Sequence, residues 1–245
     1  MLFYVRGIFG IAIFGLLSAG ESQLPVTTCK RDLVDYDACL KDALEEAWPR
    51  FVKGLPEFDF PPLDPLFYKN GKVVFNSGEM HAVAIFSNLS IIGLSKARFS
   101  NVRANFLDDV FHFEMDTMVP IVFTEGIIKI NGSINIFRIA DEGHLNVTLG
   151  DLKISCNLTG HVVNDTWIVE HFRINPSLSK FKFDFNSFNE ENKELNKIVI
   201  NFANEFWPVL ARVMLPSISI LMDPWFTDYA NLFFSKVPFS KVFPN

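Results

Sequence analysis

Basic charge is scarce in this sequence: 22 Lys and Arg stand against 28 Asp and Glu in 245 residues, for a formal net charge of −6 and a pI near 5.4. A protein that neutralises nucleic-acid phosphates needs the opposite balance, so nucleic acid is excluded as a partner. Charge of either sign is modest at 20%, while 49% of the residues are hydrophobic and Phe alone accounts for 27. That combination excludes a disordered chain and the compositions of collagens and coiled coils. Cysteine is limited to three, and a chain of this length buries a sizeable core without a disulfide framework.

Catalytic signatures are missing too. There is no Gly-x-Ser-x-Gly elbow and no Gly-rich phosphate loop. Ser177-Leu178-Ser179-Lys180 has Ser-x-x-Lys spacing without the companion motifs of that class. His81, His112, His144, His161 and His171 show no metal-type pairing on one helical face. Asp108-Asp109 and Glu190-Glu191 fall in a turn and at a helix start, where solvation and the helix dipole account for them. The sequence predicts no catalytic residue, no metal site and no cofactor.

Long apolar runs are confined to the N-terminus. Arg6 precedes an apolar stretch over 7–17, followed by Ser18-Ala19-Gly20 and the polar Glu21. This is the pattern of a secretory signal, and it is shorter than a bilayer span of about 20 residues. Residues 1–20 are therefore expected to be a signal peptide and 21–245 the mature, extracellular chain, whose net charge becomes −7 because only Arg6 is lost. No later segment is at once long, apolar and free of Pro and charge. Asn-x-Ser/Thr sequons at Asn88, Asn131, Asn146, Asn157 and Asn164 are expected to be glycosylated. In an oxidising compartment Cys29 and Cys39, ten residues apart, are expected to pair and to leave Cys156 as a buried free thiol.

Hydrophobic period divides the mature chain into three parts. Over 37–52 the apolar positions Cys39, Leu40, Ala43, Leu44, Ala47, Trp48, Phe51 and Val52 fall on one helical face. Pro49 would kink its last turn and Gly54 would stop it. From about 67 to 185 the period is two: Val83, Ile85, Leu89 and Ile91; Phe111, Phe113 and Met115; Ile128 and Ile130; Leu145, Val147 and Leu149; Leu152, Ile154, Cys156 and Leu158; Phe181, Phe183 and Phe185. That is an antiparallel sheet with one dry face. Turns are expected at Asn70-Gly71, Glu125-Gly126, Asp141-Glu142-Gly143, Gly150-Asp151 and Asn164-Asp165. Asn88, Asn131, Asn146 and Asn157 share the polar parity of their strands, as glycan acceptors must.

After residue 185 the period returns to 3.6. Ser187 and Glu190 have the spacing of a capping box. Leu195, Ile198, Val199, Phe202, Phe206, Leu210, Val213 and Met214 then form a stripe interrupted by Pro208, Pro216 and Pro224, where a bent or broken helix is expected. Beyond Pro216 this helix is apolar on most sides and must be enclosed, and the dry face of the sheet is its available partner. The expected fold class is α+β: a strongly curved antiparallel β-sheet wrapped around a long C-terminal α-helix, with a short N-terminal helix.

Several segments carry a family resemblance: the Cys pair before an amphipathic helix, Pro-Pro-Leu-Asp-Pro-Leu (61–66), Ile-Ile-Gly-Leu-Ser (91–95), Asp-Glu-Gly-His-Leu-Asn (141–146), Asn-Phe-Ala-Asn-Glu-Phe-Trp (201–207) and Val237-Pro238 before Phe243-Pro244. Together they resemble the insect juvenile hormone-binding protein and takeout family over essentially the whole mature chain. The resemblance implies a TULIP-like lipid-binding fold and an extracellular carrier of a lipophilic small molecule, such as juvenile hormone, another terpenoid or a fatty acid; the chain is expected to be a monomer. A membrane receptor or a membrane surface for ligand delivery is a further expected partner. Ile127 and Ile128 stand where family members often have an aromatic, and Cys156 offers no second disulfide, so the chain looks takeout-like. Trp48, Phe51, Phe113, Met115, Phe123, Phe202, Phe206 and Met214, large groups near the two helices, are the expected ligand-binding residues. The competing reading is a membrane-surface-active secreted glycoprotein without a soluble ligand.

Overall fold

The amphipathic stripe folds as read. In the computed structural model, which describes residues 26–78, 80–134 and 137–245, α1 (Tyr36–Lys53) buries Leu40, Ala43, Ala47 and Val52 and ends at Gly54. The expected signal segment, 1–20, lies outside the described residues.

The period-two region forms seven antiparallel strands: β1 (Leu66–Ser77), β2 (Met80–Ile92), β3 (Arg98–Leu107), β4 (Val110–Ile134), β5 (Phe137–Val163), β6 (Thr166–Ser177) and β7 (Lys180–Ser187). The order is β1-β2-β4-β5-β6, with β3 on β4 and β7 on β5. β4 and β5, 25 and 27 residues long, pair from Val110↔His161 to Ile134↔Phe137 and form the spine. β3 and β2 flank successive stretches of β4, and β7 and β6 flank successive stretches of β5.

The spine bends at one place. Pro120 lacks an N–H, and the facing Asp151 has φ 52, so that pair drops out of the ladder. The side-chain phase flips there. Val119 and Leu152 are buried before it and Val122 after it, while Ile121 and Phe123 are turned outward. β2 flips similarly at Asn88 (φ 53), within a bulge between Ser87 and Ser90. Ala84 and Phe86 face inward before the bulge and Leu89 after it, so Val83 and Ile85 lie on the outer face, against the single inward parity expected for Val83, Ile85, Leu89 and Ile91.

Four expected turns are not turns. Strands run through Asn70-Gly71, Glu125-Gly126, Asp141-Glu142-Gly143 and Gly150-Asp151. Close approach accounts for one of these glycines: a Cβ at Gly143 would lie 2.3 Å from the Asn186 carbonyl oxygen. Asn164-Asp165 does turn the chain, as does Asp108-Asp109, with both central residues at positive φ.

α2 (Lys193–Phe234) is 42 residues long and runs unbroken through Pro208, Pro216 and Pro224. It follows a single 3₁₀ turn capped by Asn189, whose side chain accepts from Glu191 N–H. Ser187 instead donates to Asp141 and accepts from Asn189 N–H, so the expected capping box does not form. α3 (Phe239–Val242) closes the chain.

The curled sheet is a half-barrel and α2 lies along its opening. It packs on the free edges, β6 and β7 on one side and β1 on the other, and hardly approaches the central strands β2, β4 and β5. Only Asn196, Ala230 and Phe233 of α2 are buried. The enclosure expected on all sides is therefore partial: Ile198, Val209 and Ile220 are 66%, 59% and 76% exposed.

Candidate functional site

An open sheet has edge strands whose N–H and C=O groups need partners. Here α2 supplies them with side chains. Asn231 accepts from Val169 N–H at 3.0 Å and donates to Val169 C=O at 2.8 Å, completing the edge of β6 as another strand would. Asn204 does the same for Phe183 of β7, accepting and donating at 2.8 Å, and also donates to Ile200 C=O. Between them Asp223 accepts from Phe172 N–H at 2.7 Å, lies 3.0 Å from His171 Nδ1, and accepts from Thr227. These three pins set the height of the helix above the sheet.

Beneath that helix two apolar surfaces face each other. Phe86, Leu89, Ile130 and Val147 rise from the central strands, and Met214, Ile218 and Leu221 descend from α2. All are half-buried and pack around Val73, Phe75, Ala84, Ile128, Leu145 and Phe185. The two surfaces are built from aliphatic and aromatic side chains, which suit an apolar guest.

The other end is closed. Cys29 and Cys39 are bonded, Arg31 N–H donates to Pro244 C=O, and the first described residues meet the C-terminal end over a cluster containing Phe111, Trp167, Phe239 and Phe243. Cys156 is the free cysteine among the described residues and is buried in that cluster. Burial, against a weaker opposing hydrogen bond from Thr117, pushes its thiol up to about 12, so it carries no thiolate at neutral pH. Two segments of the family resemblance meet nearby. The Asp64 carboxylate accepts from Gly93 N–H at 3.0 Å and Ser95 N–H at 2.8 Å. Burial acts to raise the Asp64 pKa, but hydrogen bonds from the Ser95 hydroxyl and these two N–H groups, with Lys96 alongside, hold it below the usual carboxylate range. Gly93 has φ 117, and a Cβ there would meet the Ile121 carbonyl at 2.3 Å.

The eight expected ligand residues are dispersed. Trp48, Phe113 and Met115 pack on the closed-end cluster, and the Trp48 indole donates to Leu94 C=O. Phe51 stacks edge-on against Phe60 and Phe233 in a third cluster. Met214 alone reaches the interior beneath α2. Phe123 is outside because of the flip at Pro120, and is 50% exposed. Phe202 and Phe206, each 45% exposed, lie with their rings tilted and 4.9 Å apart on the outer side of α2. The sequence analysis missed Phe86, Ile218 and Leu221, and also Asn204, Asp223 and Asn231. The latter group had a signal: a polar side chain within an apolar helix needs a partner.

Two surface clefts stand out among the described residues. One of about 590 Å³ lies at the tip of β2, β4 and β5, lined by Asn76, His81, Val83, Ile85, Lys129 and Asn131 among others. The other, about 350 Å³, crosses β3 to β6 among Arg103, Glu114, Asp116, Asn157 and Arg173. Neither is the apolar interior. No group of three or more His, Cys, Asp or Glu that could hold a metal ion occurs among the described residues.

A half-barrel bridged by a pinned apolar helix defines a lipid-binding class of fold. The fold matches the crystal structure of Epiphyas postvittana Takeout 1 with a TM-score of 0.69, over 85% of this chain and 96% of that one, at 21% identity. The family of haemolymph juvenile hormone binding proteins (JHBP) matches residues 9–244, and the chain belongs to it. It is a binding family, for lipophilic small molecules such as juvenile hormone. Relatives include the circadian clock-controlled protein daywake of Drosophila yakuba, 20% identical over 231 residues, and that of Drosophila melanogaster, 21% over 235. In both cases 89% of this chain and 87% of the relative are covered.

Proposed function

We propose that this protein is a secreted carrier that holds a lipophilic small molecule, of terpenoid or fatty-acid type, between the sheet and α2. The reading rests on one observation above others: the helix is supported by the sheet edges and stands away from the central strands, so half-buried apolar side chains face each other across the interior. Binding would be driven by burial at about 25 cal/mol per Å² of apolar surface. The N-terminal Arg6, apolar stretch and Ser18-Ala19-Gly20 support export, with cleavage after Gly20 and residues 21–245 as the mature chain.

A second reading has its own support. α2 is as long and apolar as a membrane span, and its outer side exposes Ile198, Phe202, Phe206, Val209 and Ile220. A lipid surface would cover that side, either for ligand delivery or as the protein's sole partner. One experiment separates the readings. Protein purified from culture medium is extracted with organic solvent for mass spectrometry, and a parallel sample is floated with neutral phospholipid vesicles. A stoichiometric small lipid supports the carrier. No lipid, no displacement of a fluorescent fatty-acid probe, and flotation with vesicles would replace it with the membrane-surface reading.

A further inference from the structure

The five sequons are equivalent in sequence but not in the fold. Asn88, Asn131, Asn146 and Asn164 have exposed side chains: Asn88 on the bulge of β2, Asn131 and Asn146 on the outer faces of β4 and β5, Asn164 in the β5–β6 turn. Asn157 is half-buried, with its Oδ1 shielded from solvent and without a hydrogen-bond partner, and its Nδ2 directed at Glu114 Oε1, 3.4 Å away.

Strand register explains the difference. Arg103, Glu114, Asn157 and Arg173 are successive cross-strand partners on β3, β4, β5 and β6, so their side chains form one row across the outer face. Glu114 is shared within it: Oε2 lies 3.4 Å from Arg103 Nη2, and Oε1 faces Asn157. A second row runs alongside, in which Asp116 and Ser155 are partners, Ser155 pairs with Asn175, and Asn101 donates to Asp116 at 2.7 Å. The 350 Å³ cleft lies across both rows. The Asn157 carboxamide is therefore an internal member of a polar ladder, bordered by an acid on one strand and a guanidinium on the other.

We infer that the secreted protein carries N-glycans at Asn88, Asn131, Asn146 and Asn164 and none at Asn157, because the Asn157 carboxamide belongs to the ladder. This rests on the secretory reading above. Glycosylation transfers an oligosaccharide from its lipid pyrophosphate donor: the Nδ2–C1 bond forms, the C1–O bond to the pyrophosphate breaks, and Nδ2 loses a proton. At Asn157 the new sugar would occupy the place of the Glu114 carboxylate, leaving that group and Arg103 without the row that pairs them. At the other four sites Nδ2 opens on solvent. Two of them also give cover to the apolar outer face. Asn131 pairs with Val83, two residues from Ile85, and Asn146 pairs with Glu125, two residues from Phe123.

The test is a site map. The full chain, and residues 21–245 behind an established secretory leader, are expressed in insect cells. Secreted protein is treated with a peptide:N-glycosidase in ¹⁸O-water, so each released site becomes ¹⁸O-labelled Asp, and peptides are read by mass spectrometry. Label is expected at Asn88, Asn131, Asn146 and Asn164 and not at Asn157. Gel mobility should shift by one glycan in N88Q, N131Q, N146Q and N164Q, and stay unchanged in N157Q. Label at Asn157, a shift in N157Q, or an unlabelled residue among the other four overturns the inference. Failure of export with the native N-terminus, but not with the substitute leader, counts against the secretory reading alone, and the site map is still obtained.

Discussion

Three cysteines and one tyrosine carry the sharpest residue-scale expectations. Cys29–Cys39 closes a ten-residue separation and ties α1 to the N-terminal segment, which is worth about 2–3 kcal/mol in the chain-entropy account. Thiol titration of the native protein should find no reactive thiol, because Cys156 is buried and its thiol is raised by desolvation. In denaturant without reductant one thiol should react; three would refute the pairing. Tyr36 packs beside the same cluster with a hydroxyl that is buried and has no hydrogen-bond partner. Burial, eased by Arg31, raises its pKa to about 12 from the ordinary 10.0. The neutral form is the favoured one in the fold, so this contribution is fully present below pH 10 and is lost as pH rises from about 10 to 12. Tyr36→Phe removes a hydroxyl that satisfies nothing. It should leave stability unchanged or raise it by about 1 kcal/mol, and urea unfolding at pH 8 and at pH 11 should show a smaller alkaline loss than in the parent protein.

At the scale of elements, the decisive join is between α2 and the sheet edges. Asn231 and Asn204 each satisfy a donor and an acceptor of an edge strand. Asn231→Ala should cost about 1–3 kcal/mol, because both backbone groups of Val169 lose their partner. Asn204→Ala should cost less, since the end of the interior it holds is less densely buried. Hydrogen exchange provides the check: Asn204→Ala should loosen the amide of Phe183 while leaving that of Val169 protected. Loss of protection at both positions would mean that the helix is held as one rigid body rather than at separate pins. Asp64, which joins two chain segments through Gly93 and Ser95, is a further join of the same kind.

For the molecule as a whole, the proposed carrier function rests on the apolar interior between α2 and the central strands. Met214 is the one expected ligand residue that reaches that space. Met214→Trp fills it from the helix side. Displacement of a fluorescent fatty-acid probe should become at least about tenfold weaker, equivalent to about 1.4 kcal/mol, with the circular-dichroism spectrum unchanged and a stability cost of about 1–3 kcal/mol from overpacking. Phe123→Ala serves as the comparison. Phe123 was an equal candidate by sequence but is outside the sheet, so its removal should not alter probe binding. Equal weakening by both substitutions would place the ligand elsewhere.

What the sequence determined by itself was period and partition. The helix over 37–52, the alternating region and the long C-terminal helix follow from spacing that backbone geometry imposes locally, and with them the curled sheet bridged by a helix. The Cys29–Cys39 bond and the Asn164-Asp165 turn were legible for the same reason, since each depends on neighbours in the chain. Tertiary structure decided which face each strand presents. A period of two reverses whenever one residue leaves the ladder, and at Pro120 and Asn88 only pairing with the facing strand shows that this happens. Those two reversals moved Phe123 and Ile85 from the expected interior to the outside. They also explain why Phe86 was missed. The helix was open to the same ambiguity. A stripe that is apolar on most sides does not say which side meets the sheet, and in this fold the choice was made by Asn204, Asp223 and Asn231, whose partners are backbone groups far away in sequence.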